Sequence, residues 1–245
     1  MNLTSWKQKF EKLNGYDFLT IPILIVSLII LSLLGMGYRL YFVGEISKQQ
    51  EVMFGAIIQL MSYIIVILSI YLIHFERIDE FVRCIRYQLS YIKQHIVLLV
   101  IVFIGLYVLT YCYNALIQFM PGKMQFNETQ NELKLSVLFD NPTFLPITFI
   151  FVVIAAPMIE EFIFRHLIIG ELGKIFNYYI MGVVSAVLFT LIHVTGAHSP
   201  LEFGSYIILA SGLVLVYLKS GRKLGASLFI HALNNFVAFV ISAFF

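Results

Sequence analysis

The chain has 245 residues, 60% of them hydrophobic and 12% charged, with a mean hydropathy of +0.90. A soluble domain carries about 25% charged residues, so the composition excludes a soluble globular protein and specifies a polytopic membrane protein. A net charge of +2 argues against a nucleic-acid-binding surface, and the two cysteines, Cys84 and Cys112, have no disulfide-framework or metal-ribbon spacing.

Residues 1–14 place Leu3, Trp6, Phe10 and Leu13 on one helical face and Lys7, Lys9 and Lys12 elsewhere, the pattern of a helix lying on the membrane surface. No secretory signal peptide is expected, since the first apolar run starts late and no A-x-A-like site follows it. Phe18 to Tyr38 is the first expected span, with Pro22 in its first turns, where proline is tolerated. Val52 to His74 is the second. Glu76 to Lys93 carries Ile78, Phe81, Val82, Ile85, Leu89 and Ile92 at helical spacing and an Asp79–Arg83 i,i+4 pair. That many charges predict an interfacial amphipathic helix. His95 to Phe119 is the third span, and its polar end (Tyr111, Tyr113, Asn114, Gln118) suits a wet cavity or an interface belt. Met120 to Asn141 is the longest polar loop, closed by Pro142. Four more apolar runs follow, at about 144–170, 178–198, 203–218 and 224–243, the last two divided by Lys219-Ser-Gly-Arg-Lys223.

The expected fold is therefore all-α: a transmembrane helical bundle of about seven spans with interfacial amphipathic helices. It divides into an N-terminal membrane region, 1–142, and a four-span core, 143–245. With seven alternating spans, 12 of the 16 Lys and Arg residues fall on the N-terminal side and 4 on the other. The positive-inside rule then puts the N-terminus in the cytoplasm and the C-terminus outside a cell membrane.

Glu160 and Glu161 are the two acidic residues within an apolar run of spanning length. A carboxylate in hydrocarbon costs several kcal/mol unless it is paired, neutralised or facing water. Arg165, four residues after Glu161, shares its face and can pair with it. Glu160 is turned about 100° away and stays free for chemistry. A purely structural Glu–Arg clamp between helices is the alternative. His193 ends the run Phe189-Thr-Leu-Ile-His193, and His231 and Asn235 share one face of the last span at i and i+4. Each of these three alone suits hydrogen-bonded packing or interhelical glue. Together with Glu160, on three separate helices, they supply a carboxylate and an imidazole to deprotonate a water, and an imidazole and an amide to donate to an oxyanion.

Glu160-Glu161-x-x-x-Arg165, Phe189-x-x-x-His193 and His231-x-x-x-Asn235 resemble, in order and spacing, the three motifs of the CAAX-protease and bacteriocin-processing family (CPBP, or Abi), whose members are intramembrane glutamate peptidases. The resemblance covers about residues 143–245. It implies that Glu160 and His193 activate water, that His231 and Asn235 stabilise the oxyanion, and that Glu161 and Arg165 shape the site, with Phe189 in support. It also requires Glu160 and His193 to share a depth. Starting the fourth span near Phe149 and the fifth near Gly182 achieves this in a hydrocarbon core about 30 Å thick. The partners implied are the lipid bilayer and a membrane-associated or lipidated peptide or protein. The resemblance leaves prenylated CAAX proteins, peptide pheromones and bacteriocin precursors all open as substrates.

Other chemistries have less support. No His-Glu-x-x-His occurs, and Asp17, Asp79 and Asp140 all fall outside the expected spans, which excludes an aspartyl dyad. Gly225-Ala-Ser227 reads as close helix packing. Glu160, His193 and His231 have the chemistry to ligate zinc, although a metal-free glutamate mechanism requires no cofactor. Two further classes compete with the peptidase: a non-catalytic membrane protein giving immunity to a peptide toxin such as a bacteriocin, and a proton-coupled transporter, for which no inverted repeat is visible.

Overall fold

The computed structural model describes residues 12–75 and 78–245. Of the surface helix expected over 1–14, residues 1–11 lie outside the described residues. Eight helical elements follow: α1 (Gly15–Val43), α2 (Lys48–Ile73), α3 (Ile78–Ile117), α4 (Gln130–Ser136), α5 (Pro142–Phe176), α6 (Tyr178–His193), α7 (Glu202–Lys219) and α8 (Leu224–Phe244). Among the described residues no strand occurs. Six helices, all but α4 and α6, are long and apolar enough to cross a membrane. At 16 residues, α6 is about 24 Å long. The all-helical bundle of about seven spans expected from composition is thus the fold observed.

The packing alternates as seven crossings require. At one end Asn14 donates its backbone N–H to Glu171 Oε2 (2.7 Å), and Lys174 Nζ donates to Lys12 O (3.0 Å). At the same end Gly225 N–H donates to Gln88 Oε1 (3.1 Å), and the Lys223 ammonium lies over the rings of Tyr87 and Tyr91. At the other end Tyr113 donates to Leu201 O (2.8 Å), Ser199 to Met124 O (2.6 Å) and Lys134 to Thr195 O (3.1 Å). The connections expected to share a side therefore touch one another.

Four local expectations are corrected. Of the helix expected over 76–93, residues 76 and 77 lie outside the described residues and the rest forms one helix with the third span, α3, whose single non-helical residue is His95 (φ −116°, ψ 17°). There His95 Nδ1 lies 3.0 Å from Tyr91 O and the two rings stack at 4.1 Å. A side chain inserted beside the i→i−4 ladder is a recognised cause of a kink, so the boundary falls where the charge pattern put it, without a break. The helix ends at Ile117 rather than Phe119. Its polar tail packs on α7 and its approach: besides the Tyr113 bond, Ser205 Oγ donates to Asn114 Oδ1 (2.8 Å).

The expected loop 120–141 contains α4, begun by a capping box in which Thr129 Oγ1 accepts from Glu132 N–H and the Glu132 carboxylate accepts from Thr129 N–H. Thr129-x-x-Glu132 was the readable signal for it. Asp17, expected outside the spans, sits in the first turn of α1 and is only 3% exposed. Its Oδ2 lies 2.7 Å from His166 Nε2 and its Oδ1 3.4 Å from His74 Nε2.

The fourth correction concerns depth. α5 starts at Pro142 and α6 at Tyr178, not near Phe149 and Gly182, and the site still assembles. α5 and α6 are antiparallel neighbours joined at Asn177, whose φ of +79° and side-chain acceptance from Tyr179 N–H (2.8 Å) make the turn. Glu160 is 17 residues before that turn and His193 16 after it. At about 1.5 Å per residue both lie roughly 25 Å from it. Register is set at the shared turn, and 35-residue α5 simply extends past the other end of shorter α6.

α5 is the central helix, packed on α2, α6 and α8. Pro157 lacks the N–H that would bond Val153 O, and the preceding segment, Ile150–Ala155, opens into π geometry. A second π segment, Phe162–Glu171, carries Arg165 and His166. Such segments concentrate at functional sites. Neighbouring helices take up their carbonyls: Asn235 Nδ2 donates to Val152 O (2.9 Å) and Ser185 Oγ to Phe164 O (2.7 Å). This is how a broken helix is tolerated in hydrocarbon.

Candidate active site

Glu160, Glu161 and Arg165 project from α5, Phe189 and His193 from the last turns of α6, and His231 and Asn235 from α8. Glu161 and Arg165 are fully buried, with Arg165 Nε 3.4 Å from Glu161 Oε2. The guanidinium also reaches Ala210 O on α7 (3.5 Å) and lies 4.7 Å from the centre of the Phe189 ring. Glu160 and His193 are the open part of the cluster, with side chains 17% and 16% exposed.

Glu160 Oε2 faces both imidazoles, 3.8 Å from His193 Nε2 and 3.5 Å from His231 Nε2. Neither is a direct hydrogen bond. The opposite ring nitrogens decide the proton positions. His193 Nδ1 is 2.8 Å from Phe189 O. A carbonyl only accepts, so Nδ1 carries the hydrogen and a neutral His193 turns a lone pair at Nε2 toward Glu160. His231 Nδ1 is 3.0 Å from Glu161 Oε1 and donates to that carboxylate. Glu161 therefore sits between Arg165, its ion-pair partner at one oxygen, and His231, a hydrogen-bond donor to the other, in the bundle core.

Phe189 is the hub of this packing. It is fully buried, stacks on His193 (centroids 4.3 Å) and meets the edges of Phe164 (5.3 Å) and His231 (5.6 Å). Asn235 is the member the structure does not bond to the cluster. Its amide donates to Val152 O, and its Oδ1 accepts from Asn234 Nδ2 (3.4 Å). The second amide hydrogen is left over.

Two tyrosines near the site carried no sequence signal. Tyr206 on α7 places its ring 5.1 Å from that of His193. Tyr63 on α2 accepts from Gln59 Nε2 (2.7 Å) and packs with Phe151 and Ile159 beside Glu160. Thr129, the N-cap of α4, donates its hydroxyl to Glu132 and so accepts from Tyr206. A single tyrosine among 14 has no periodicity or spacing to mark it. The Asp17–His74–His166 cluster at the opposite end was readable only in part. The alternation of spans puts all three residues at one end, but nothing in the sequence says that they meet.

Among the described residues no three His, Cys, Asp or Glu side chains converge to hold an ion.

Residues 142–237 match the family model described as type II CAAX prenyl endopeptidase Rce1-like. The membrane-embedded CAAX protease MroQ of Staphylococcus aureus (strain USA300) is 34% identical over 97 residues, which are 37% of this chain and 37% of that protein. The chain thus covers little more than a third of that relative's length. No solved structure matches the chain.

Proposed function

We propose, from the match of residues 142–237 to the prenyl endopeptidase family model and their likeness to a membrane-embedded CAAX protease, that the chain is a CAAX-protease-like (CPBP) membrane endopeptidase that hydrolyses a peptide bond within the membrane, with Glu160 as general base. One observation carries the reading. Because His193 Nδ1–H is held by Phe189 O, two acceptors, Glu160 Oε2 and His193 Nε2, face each other 3.8 Å apart. A structural clamp pairs a donor with an acceptor. Two acceptors suit a water that donates one hydrogen to each.

In the reaction that follows, the water oxygen attacks the scissile carbonyl carbon while Glu160 takes one of its protons. The carbonyl π electrons move to oxygen. His231 in its imidazolium form keeps Nδ1–H on Glu161 and offers Nε2–H to that oxyanion. The leftover Asn235 amide hydrogen is a second candidate donor. The tetrahedral intermediate collapses, the C–N bond breaks, and Glu160 returns its proton to the departing amine. The products are a carboxylic acid and an amine, and no further reactant is consumed. Glu161 and Arg165 act indirectly, by holding His231. The substrate is a membrane-associated or lipidated peptide or protein, the class suggested by the prenyl endopeptidase family description.

The test is cleavage of a defined membrane peptide by purified, detergent-solubilised protein. Glu160→Gln keeps size and hydrogen-bonding reach but cannot accept a proton. It should fold and bind the peptide while losing about 10²–10⁴-fold in rate, the range for a missing general base. His193→Ala should fall about as far, since the two groups hold one water and act as a unit. Cleavage at the wild-type rate by Glu160→Gln would refute the proposal and leave a non-catalytic binding role, such as toxin immunity, in its place.

A further inference from the structure

We infer that Tyr206 is a positioning residue for His193, and that its hydroxyl ties the His193 ring to the capped helix α4, outside the matched family segment. The inference rests on the peptidase reading above. Its physical basis is the way the ring is confined. The Nδ1–H bond to Phe189 O is a single contact, about which an imidazole can still tilt. Phe189 covers one side of the ring at 4.3 Å, from the same helix. Tyr206 adds a second aromatic contact at 5.1 Å, from α7. His193 ends α6 and is followed directly by the 194–201 connection, so its own helix restrains it from one direction only.

Tyr206 is itself fixed by a directed chain of hydrogen bonds. Its oxygen is 2.8 Å from Thr129 Oγ1. Thr129 Oγ1 donates to Glu132 Oε2 (3.0 Å), and a carboxylate only accepts, so Thr129 has no second hydrogen and Tyr206 must donate to it. Glu132 N–H closes the cap by donating to Thr129 Oγ1 (3.2 Å). The cap in turn is docked onto the connection that follows His193. Gln130 N–H donates to Glu202 Oε2 (2.8 Å), whose Oε1 accepts from His198 N–H (2.9 Å) and Ser199 N–H (3.2 Å), and Lys134 reaches Thr195 O. Thr129 and Glu202 are both buried. The outer segment 120–141 is thereby part of the support of the site rather than a passive connection.

A positioning role and a merely structural one differ in what they move. Misplacement of a reacting group by about 1 Å costs up to about 10²-fold in rate. Tyr206→Phe keeps the ring and loses its anchor, and kcat should fall about 10-fold with KM within about twofold. Tyr206→Leu removes the ring contact, and kcat should fall toward about 10²-fold. Thr129→Ser keeps the hydroxyl and should behave as wild type, whereas Thr129→Val should match Tyr206→Phe. The Tyr206→Phe/Thr129→Val double variant should be no worse than Thr129→Val alone, because Thr129→Val already breaks the link to Tyr206.

The readout independent of activity is the imidazole nitrogen spectrum of ¹⁵N-histidine-labelled protein in detergent, with the His193 signals assigned by their loss in His193→Asn. Wild type should show the single Nδ1–H tautomer, and Tyr206→Leu a mixture. Wild-type kcat in Tyr206→Phe, or an unchanged His193 spectrum in Tyr206→Leu, overturns the inference. Should Glu160→Gln cleave normally, the peptidase reading falls instead, and the ring spectrum still decides whether Tyr206 positions His193.

Discussion

Replacing Arg165 with methionine keeps most of the side-chain volume and removes one charge from the centre of the bundle. Arg165 and Glu161 have no measurable exposure. In the variant Glu161 Oε1 keeps His231, while Oε2, whose nearest cation is Arg165 Nε at 3.4 Å, has no compensating charge. Breaking a buried pair from one side costs about 3–5 kcal/mol. The same guanidinium also makes the cation–π contact with Phe189, worth about 2 kcal/mol when desolvated. The two do not add, because one group makes both.

For a chain of this size about 1 kcal/mol shifts Tm by about 2–4 °C, so Arg165→Met should lower Tm by roughly 6–20 °C. The Glu161→Gln/Arg165→Met double variant should recover much of that loss, since exchanging both members of a buried pair for neutral groups is often close to neutral. Cleavage should stay low in both variants, because His231 loses its carboxylate anchor in one and its charged surroundings in the other. The assay is thermal unfolding of purified protein in detergent beside peptide cleavage. A single variant as stable as wild type, or a double variant no more stable than the single, would refute the account of Glu161–Arg165 as a mutually neutralising pair.

Reporter fusions at Lys219 and at Phe245 should report opposite sides of the membrane, with Lys219 cytoplasmic; the same side for both contradicts seven spans with the 12-to-4 basic bias. Asn235→Ala should lose about 10²–10³-fold in kcat if the leftover amide hydrogen serves the oxyanion. A wild-type kcat with lowered Tm would confine Asn235 to holding Val152 O. Chelators should leave cleavage intact, and activity lost on chelation but restored by zinc would show that the metal-free mechanism is wrong.

Composition and apolar run length were enough to specify a helical membrane bundle, because hydrocarbon leaves a chain of this composition few other ways to satisfy its backbone. The Glu161–Arg165 contact was also legible, since i and i+4 on a helix are neighbours whatever the rest of the chain does. Charge density placed the bend at His95 to within two residues. The helix runs through it because a kink costs less than ending a helix and leaving its last carbonyls without partners. α4 went unread although its capping box stands in plain sequence.

What only the tertiary structure decided is everything measured between elements. The depth at which Glu160 meets His193 follows from the shared turn at Asn177, which no count from the far ends of the two spans could supply. Asp17 is buried by His74 and His166, which come from helices far from it in sequence. Tyr206 reaches His193 from α7 with no motif to mark it, and Thr129, legible only as a helix cap, meets Tyr206 from a segment far away in sequence. Helical periodicity reports neighbours within a turn or two of the same helix. It says nothing of which face of the next helix they meet, because that depends on how the helices pack and how their turns set the register.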